Sequence, residues 1–187
     1  MKTSILNLKK WFLAIGLLFI SVYSNSQEVK LSREEKKEAK RTREFYNFQV
    51  IDSMLQNKNF VIEADYLENQ YGYRNSVLSA VNFILVDSLR AVLQTGSNSL
   101  YGSNGVGGAT AEGSLSGMKI TKDMKNLSFF IRFTIASEIG VYDVSLTIDS
   151  NKQARATISG MTRGKLVYVG RIVSRYNSGI YKGRNSI

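Results

Sequence analysis

The chain has 187 residues, of which 43% are hydrophobic and 21% charged, enough apolar content for one folded domain with its own core. It contains no cysteine and no histidine. That removes disulfides, thiolate zinc sites, an N-terminal lipid-modified cysteine, imidazole metal ligands and any Ser-His-Asp triad. The formal charge is +10, from 25 Lys and Arg against 15 Asp and Glu.

From the amino terminus, Lys2, Lys9 and Lys10 precede or open an apolar run over residues 11–22, followed by the small residues Ser24 and Ser26. This is the layout of a signal peptide over residues 1–26. It predicts cleavage near Ser26, a mature chain beginning at Gln27, and a periplasmic or secreted protein. The run is shorter than the about 20 apolar residues of a membrane span, which makes an uncleaved anchor the weaker alternative.

Residues 27–58 read as a helix, charged first and amphipathic afterwards. Ser32 stands three residues before Glu35, the spacing of a capping box in which hydroxyl and carboxylate each take a free backbone N–H. Glu34/Lys37 and Glu38/Arg41 can pair along its first half, and Phe45, Phe48, Ile51 and Leu55 form an apolar stripe along its second.

From residue 59 the apolar period changes to two, the spacing of strands. FVIEADY sets Phe60, Ile62, Ala64 and Tyr66 on one face; RAVLQT, with the Leu89 before it, does so with Leu89, Ala91 and Leu93. LSFFIRFTIAS and VYDVSLTID alternate cleanly, while LSAVNFILV is apolar on both faces and reads as the most buried strand, with Asn82 its one polar intrusion. In ATAEGSLSGMKI the apolar parity runs through Ala109, Ala111 and Leu115 and then passes to Met118 and Ile120. A bulge or barrel corner at Gly117 would do this. QARATISG and KLVYVGRIV bring the count to about eight strands. The turns between them are short, so neighbours are antiparallel. The expected fold is mainly β: an N-terminal helix, then an antiparallel meander over residues 59–176 curled into a barrel or half-barrel that the helix helps close, with a flexible basic tail at 177–187.

The glycine-rich stretch YGSNGVGGATAEG carries neither a Walker lysine nor a third glycine in GxGxxG spacing, and a strand follows it rather than a helix. Gly102, Gly105, Gly107, Gly108 and Gly113 are therefore read as residues of loop conformation. Tyr66, Tyr71 and Tyr73, with Tyr101 of the loop, can form an aromatic platform for a sugar or apolar ligand, or can cap the core. Glu112, opposite the small residues of its strand, is a rim charge or a ligand contact. Asp149 and Asn151 begin a calcium-loop pattern that Gln153 and Ala154 break, which leaves a hairpin turn. After Asp149 no acid occurs, while Lys152, Arg155, Arg163, Lys165, Arg171, Arg175, Lys182 and Arg184 are all basic. Such a field suits anionic lipid head groups, polyanionic glycans or an acidic partner better than nucleic acid, or it serves solubility alone.

The run VNFILVDSLRAVLQTGS, the loop NGVGGATAEG and the later ARATISG resemble the domain of unknown function 4251 family, exported proteins of Gram-negative bacteria, over residues 59–184. The resemblance implies export and a shared β-rich fold and lends no catalytic residues. The function expected is a non-enzymatic envelope binding module for a small ligand or anionic partner, with a membrane-surface contact among the readings and no cofactor or metal. The alternatives are a carboxylate-dependent hydrolase of envelope glycans, using Glu63, Glu68 and Glu112, and a structural interaction protein without a small ligand.

Overall fold

The computed structural model describes residues 32–97, 105–160 and 164–186; residues 1–26, expected from sequence to be a signal peptide, lie outside them. The chain divides into two compact units, Met1–Ala39 and Lys40–Ile187. Of the first, residues 32–39 are described: the exposed start of helix α1 (Arg33–Gln56). Its capping box is closed, with the Ser32 N–H donating to Glu35 Oε2 at 2.7 Å and the Glu35 N–H donating to Ser32 Oγ at 3.2 Å. No helix among the described residues is long and apolar enough to cross a membrane.

The second unit is an eight-stranded antiparallel barrel built from β1 (Asn59–Glu68), β3 (Phe83–Asp87), β4 (Arg90–Gln94), β5 (Thr110–Asp123), β6 (Ser128–Ser137), β7 (Gly140–Ile148), β8 (Gln153–Ser159) and β9 (Lys165–Ser174). β9 returns to β1 and closes the ring. A ninth strand, β2 (Arg74–Ser76), pairs with the end of β1 outside the barrel. The mainly β reading thus holds, in its closed form. Closure leaves no unpaired edge around the ring, the general remedy for the aggregation risk of an open sheet.

Two bulges set the barrel's corners. In β5 the register against β6 shifts between Ser116 and Lys119, and Gly117 takes φ +62° there. This is the parity switch legible in the sequence. In β1 the register against β9 shifts between Ala64 and Tyr66. That bulge corrects one expectation: Tyr66, placed by alternation on the core face, is turned outward and is 39% exposed. Leu89, also expected inward, sits in the β3–β4 turn and is exposed, and Ser79–Val81 is a 3-10 turn rather than strand.

Inside the ring, bulky residues of β6 and β7 such as Phe129, Ile131, Phe133 and Leu146 share the core with the small Ala154, Ala156 and Gly170 of β8 and β9. Phe48, Ile51 and Leu55 of α1 enter this core, where Phe48 stacks on Phe129 with ring centroids 4.4 Å apart. Because Phe129 opens β6, the helix fills the barrel end where β1, β4, β6 and β8 begin. Phe45, one turn earlier on the same stripe, remains 46% exposed.

A second apolar cluster explains why β3 is apolar on both faces. Val61, Phe83, Leu85 and Val92 lie on the outer wall, and Ile180 of the C-terminal segment packs over them with Val173. The tail expected to be loose carries specific hydrogen bonds. The Tyr181 N–H donates to Ala80 O at 2.7 Å, and the Ser186 N–H to Thr110 O at 3.0 Å. Gln94, fully buried, is the hub: its Nε2 donates to Val81 O and Tyr181 O, while its Oε1 accepts from Thr110 Oγ1 and the Gly183 N–H. Both donors and both lone pairs of the amide are thereby used, as a buried amide requires. Nothing periodic in the tail sequence announces these bonds, since they are made mainly by its backbone.

Candidate functional site

At the barrel end opposite the helix, a cavity of about 310 Å³ opens between the ends of β4, β6 and β8 and the starts of β5, β7 and β9. Leu93, Ala111, Ile158 and Tyr168 form its buried floor; Thr95, Ala109, Ile139, Tyr142, Gly160, Gly164, Lys165 and Leu166 form its more exposed wall and rim. An eight-stranded barrel has an interior just wide enough either to be filled by side chains or to hold one small ligand. Here the helix side chains fill one end, and small residues at the other leave space.

Two tyrosines shape the cavity chemically. The Tyr168 hydroxyl donates to Gln94 O at 2.9 Å, and burial, with a smaller contribution from neighbouring Tyr142, pushes this phenol well above its ordinary range. Tyr168 is a neutral, already satisfied group. Tyr142 lies against Gly160: a Cβ at that glycine would stand 2.9 Å from Tyr142 Cδ1, so the missing side chain makes room for the ring. The Tyr142 hydroxyl points toward the β6–β7 turn beside Gly140 and has no hydrogen-bond partner among the described residues. Lys165, at the start of β9, likewise has no ion pair among them.

The tyrosines singled out by sequence lie elsewhere. Tyr71 and Tyr73 are 76% and 73% exposed in the β1–β2 connection, where their N–H groups donate to Asn69 Oδ1. Tyr66 faces outward beneath the Arg74 guanidinium, 4.9 Å from its ring centroid. None of the three lines the cavity. Tyr101 and Gly102 lie outside the described residues, as does Arg163. Gly105 and Gly107 have φ of +74° and +77°, and a Cβ on Gly108 or Gly113 would overlap the carbonyl of Thr95 or of Ala136, so these four shape the chain between β4 and β6.

The three candidate carboxylates are on the outer wall, each tied to cations. Glu63 accepts from Arg171 at 3.2 Å and from Ser178 Oγ at 2.7 Å. Glu68 is clasped by Arg155 and Arg74, whose hydrogen bonds hold its carboxyl below the usual range. Glu112 meets Lys182 at 2.6 Å and Arg90 at 3.1 Å, and the Lys182 hydrogen bond does most to hold it low in the same way. No carboxylate lines the cavity among the described residues. The same pairs absorb much of the basic field: Arg155, Arg171 and Lys182 are spent on these glutamates, and Arg175 lies 3.6 Å from Asp87. A groove of about 620 Å³ on the outer wall, between the β3–β4 turn and the tail, is lined by these mutually paired charges and offers a ligand little that is uncommitted.

The cavity residues that sequence reasoning did not single out are Tyr142 and Tyr168; Lys165 entered it only as one of the eight basic residues after Asp149. Their signal was present: two inward-parity tyrosines near strand ends, with Gly160 and Gly164 between them in the chain.

The family model described as "Domain of unknown function (DUF4251)" matches residues 42–172, from within α1 to Ile172 in β9. The crystal structure of a DUF4251 family protein from Bacteroides eggerthii DSM 20697 is similar at a TM-score of 0.61 and 26% identity, over 71% of this chain and 91% of that one. No curated protein matches. With some two thirds of its length matched by the family model, and a barrel shared with a solved member, the chain belongs to the DUF4251 family.

Proposed function

We propose that the protein is an exported, non-enzymatic binding module that holds one small, mainly apolar ligand in the open end of its barrel. The observation that carries this reading is the cavity itself: about 310 Å³, with an apolar floor, and with no carboxylate among its described lining. Small-molecule sites are typically concave and apolar with a few placed polar groups, and barrel mouths are a recurrent location for them. A glycan hydrolase needs two carboxyls facing one cleft, and Glu63, Glu68 and Glu112 face away from this one, already neutralised.

The apolar fluorophore 1-N-phenylnaphthylamine is the probe. It is expected to bind the parent saturably and one to one, and Ala109→Trp, which places an indole across an exposed rim position, is expected to weaken binding about tenfold or more without lowering the melting temperature. Equal binding by parent and variant overturns the site. Export rests on the order of basic, apolar and small residues over 1–26. Amino-terminal sequencing of the chain from the envelope or secreted fraction is expected to begin at or next to Gln27, and full-length chain confined to the cytoplasm overturns it.

A further inference from the structure

We propose that the C-terminal segment, residues 181–186, holds the β4–β5 wall of the cavity in shape from outside the barrel, with Gln94 and Thr110 as its positioning residues, so that docking of the segment and occupation of the cavity favour one another. This rests on the barrel mouth being a ligand site, and it adds a device that sets how tightly the site binds.

The register puts cavity wall and segment seat on opposite faces of one corner. At the end of β4, Leu93 and Thr95 line the cavity while Gln94 between them turns outward; at the start of β5, Ala109 and Ala111 line it while Thr110 between them turns outward. Leu93 pairs with Ala111 and Gln94 with Thr110. Both outward residues are fully buried, and the segment bonds to both. Gln94 Nε2 donates to Tyr181 O at 2.9 Å, and its Oε1 accepts from the Gly183 N–H at 2.8 Å. The Thr95 N–H bonds Ala109 O, so the alternation of an antiparallel ladder turns the N–H and C=O of Thr110 away from β4. β6 pairs with β5 only from Gly113 onward. Ahead of that point Ser186 bonds both groups of Thr110: its N–H donates to Thr110 O, and its Oγ accepts from the Thr110 N–H, each at 3.0 Å. From the cavity side, the floor residue Tyr168 donates its hydroxyl to Gln94 O at 2.9 Å. Gln94 is thus held by its main chain from within the barrel and by its side chain from without.

The element with two states is the segment, docked or lifted. Lifting it exchanges the bonds of Gln94 and Thr110 for bonds to water and leaves the ring of strands closed, so it is a local opening and not unfolding. The β4–β5 corner then loses its outer support. A ligand touching Leu93, Thr95, Ala109 and Ala111 orders that corner from the inner face, and the docked segment orders it from the outer one. Whichever arrives first lowers the ordering cost left to the other, which is positive coupling without any contact between ligand and segment. Coupling of this kind is reciprocal: the factor by which docking tightens ligand binding is the factor by which ligand favours docking.

A chain ending at Lys182 tests this, because it removes the Gly183 and Ser186 bonds while Ile180 stays over the outer apolar cluster and Lys182 on Glu112. In titrations with 1-N-phenylnaphthylamine it is expected to bind about fivefold or more weakly than the parent at the same stoichiometry, with a smaller loss in the same direction for Ser186→Ala. In the parent, saturating fluorophore is expected to slow hydrogen exchange at the N–H groups of Tyr181, Gly183 and Ser186 by the same factor. The N–H groups of Lys125 and Asn126, in the β5–β6 turn at the helix end, are expected to exchange as before. If the shortened chain does not fold, Ser186→Ala and the exchange measurement on the parent decide. Equal affinity of parent and variants, exchange that the fluorophore leaves unchanged at the segment, or slowing at the β5–β6 turn to the same extent overturns the coupling and leaves the cavity standing as a site. Failure of the fluorophore to bind the parent overturns the site and this inference with it.

Discussion

Gly170→Ala is expected to destabilise the barrel by roughly 4 kcal/mol or more, enough to leave much of a marginally stable domain unfolded. Gly170 sits on the inner face of β9, in register with Ala64 of β1 and Ala154 of β8. A Cβ built there would overlap the carbonyl oxygen of Glu63 and stand 2.9 Å from Ala64 Cα. Both obstacles are backbone, so no rotamer change relieves them. They also lie beside the β1 bulge, where the ring closes. Relief requires strands β1 and β9 to separate, with loss of ladder hydrogen bonds on either side. Denaturant titration of the soluble variant, or its yield in the insoluble fraction, measures the effect. Gly117→Ala is the instructive partner: its φ is +62° but nothing lies within 4 Å of its Cβ, so only the backbone term of about 1 kcal/mol applies. A Gly170→Ala variant no less stable than Gly117→Ala would refute the close-approach argument.

The second large effect is expected at the other end of the barrel. Phe48→Ala should cost about 3–5 kcal/mol, the range for removing a buried aromatic ring. Phe48 is 4% exposed and stacked on Phe129 at an interplanar angle of 17°. Its loss opens a void under the helix, next to strands that cannot move inward without breaking the ring. Phe45→Ala, on the same stripe but about half exposed, is expected to change stability by less than about 1 kcal/mol. Equilibrium denaturation of the two variants decides between a helix that plugs the barrel and one that merely lies near it. Equal, small losses would favour the latter.

Much of this architecture was legible because it depends on local alternation. The clean period of two in β6 and β7 identified their inner faces, and the parity switch around Gly117 located a bulge from the chain alone. What was not legible depends on partners far away in sequence. The β1 bulge turns Tyr66 outward without any glycine to mark it. Glu63 is matched by Arg171 and Glu112 by Lys182, so the carboxylates that alone resembled catalytic candidates prove to be tethers of the outer wall to its neighbouring strand and tail. The tyrosines drew attention where they were dense in sequence, in the exposed β1–β2 connection. Tyr142 and Tyr168 gain their place only once it is known which end of the ring the helix fills.

Ring closure also governs when this fold can form. The closing ladder pairs Phe60 with Ser174 and Ile62 with Ile172, so the first strand must wait for the last before either has its full set of hydrogen bonds. Bringing ends so distant together costs loop entropy before any contact repays it, and folds dominated by such contacts assemble slowly. A nascent chain emerging from its amino terminus holds β1 with one edge unpaired until β9 is made. The barrel therefore cannot close before its last strand has been made, and for that interval it depends on whatever keeps an apolar strand from finding the wrong neighbour.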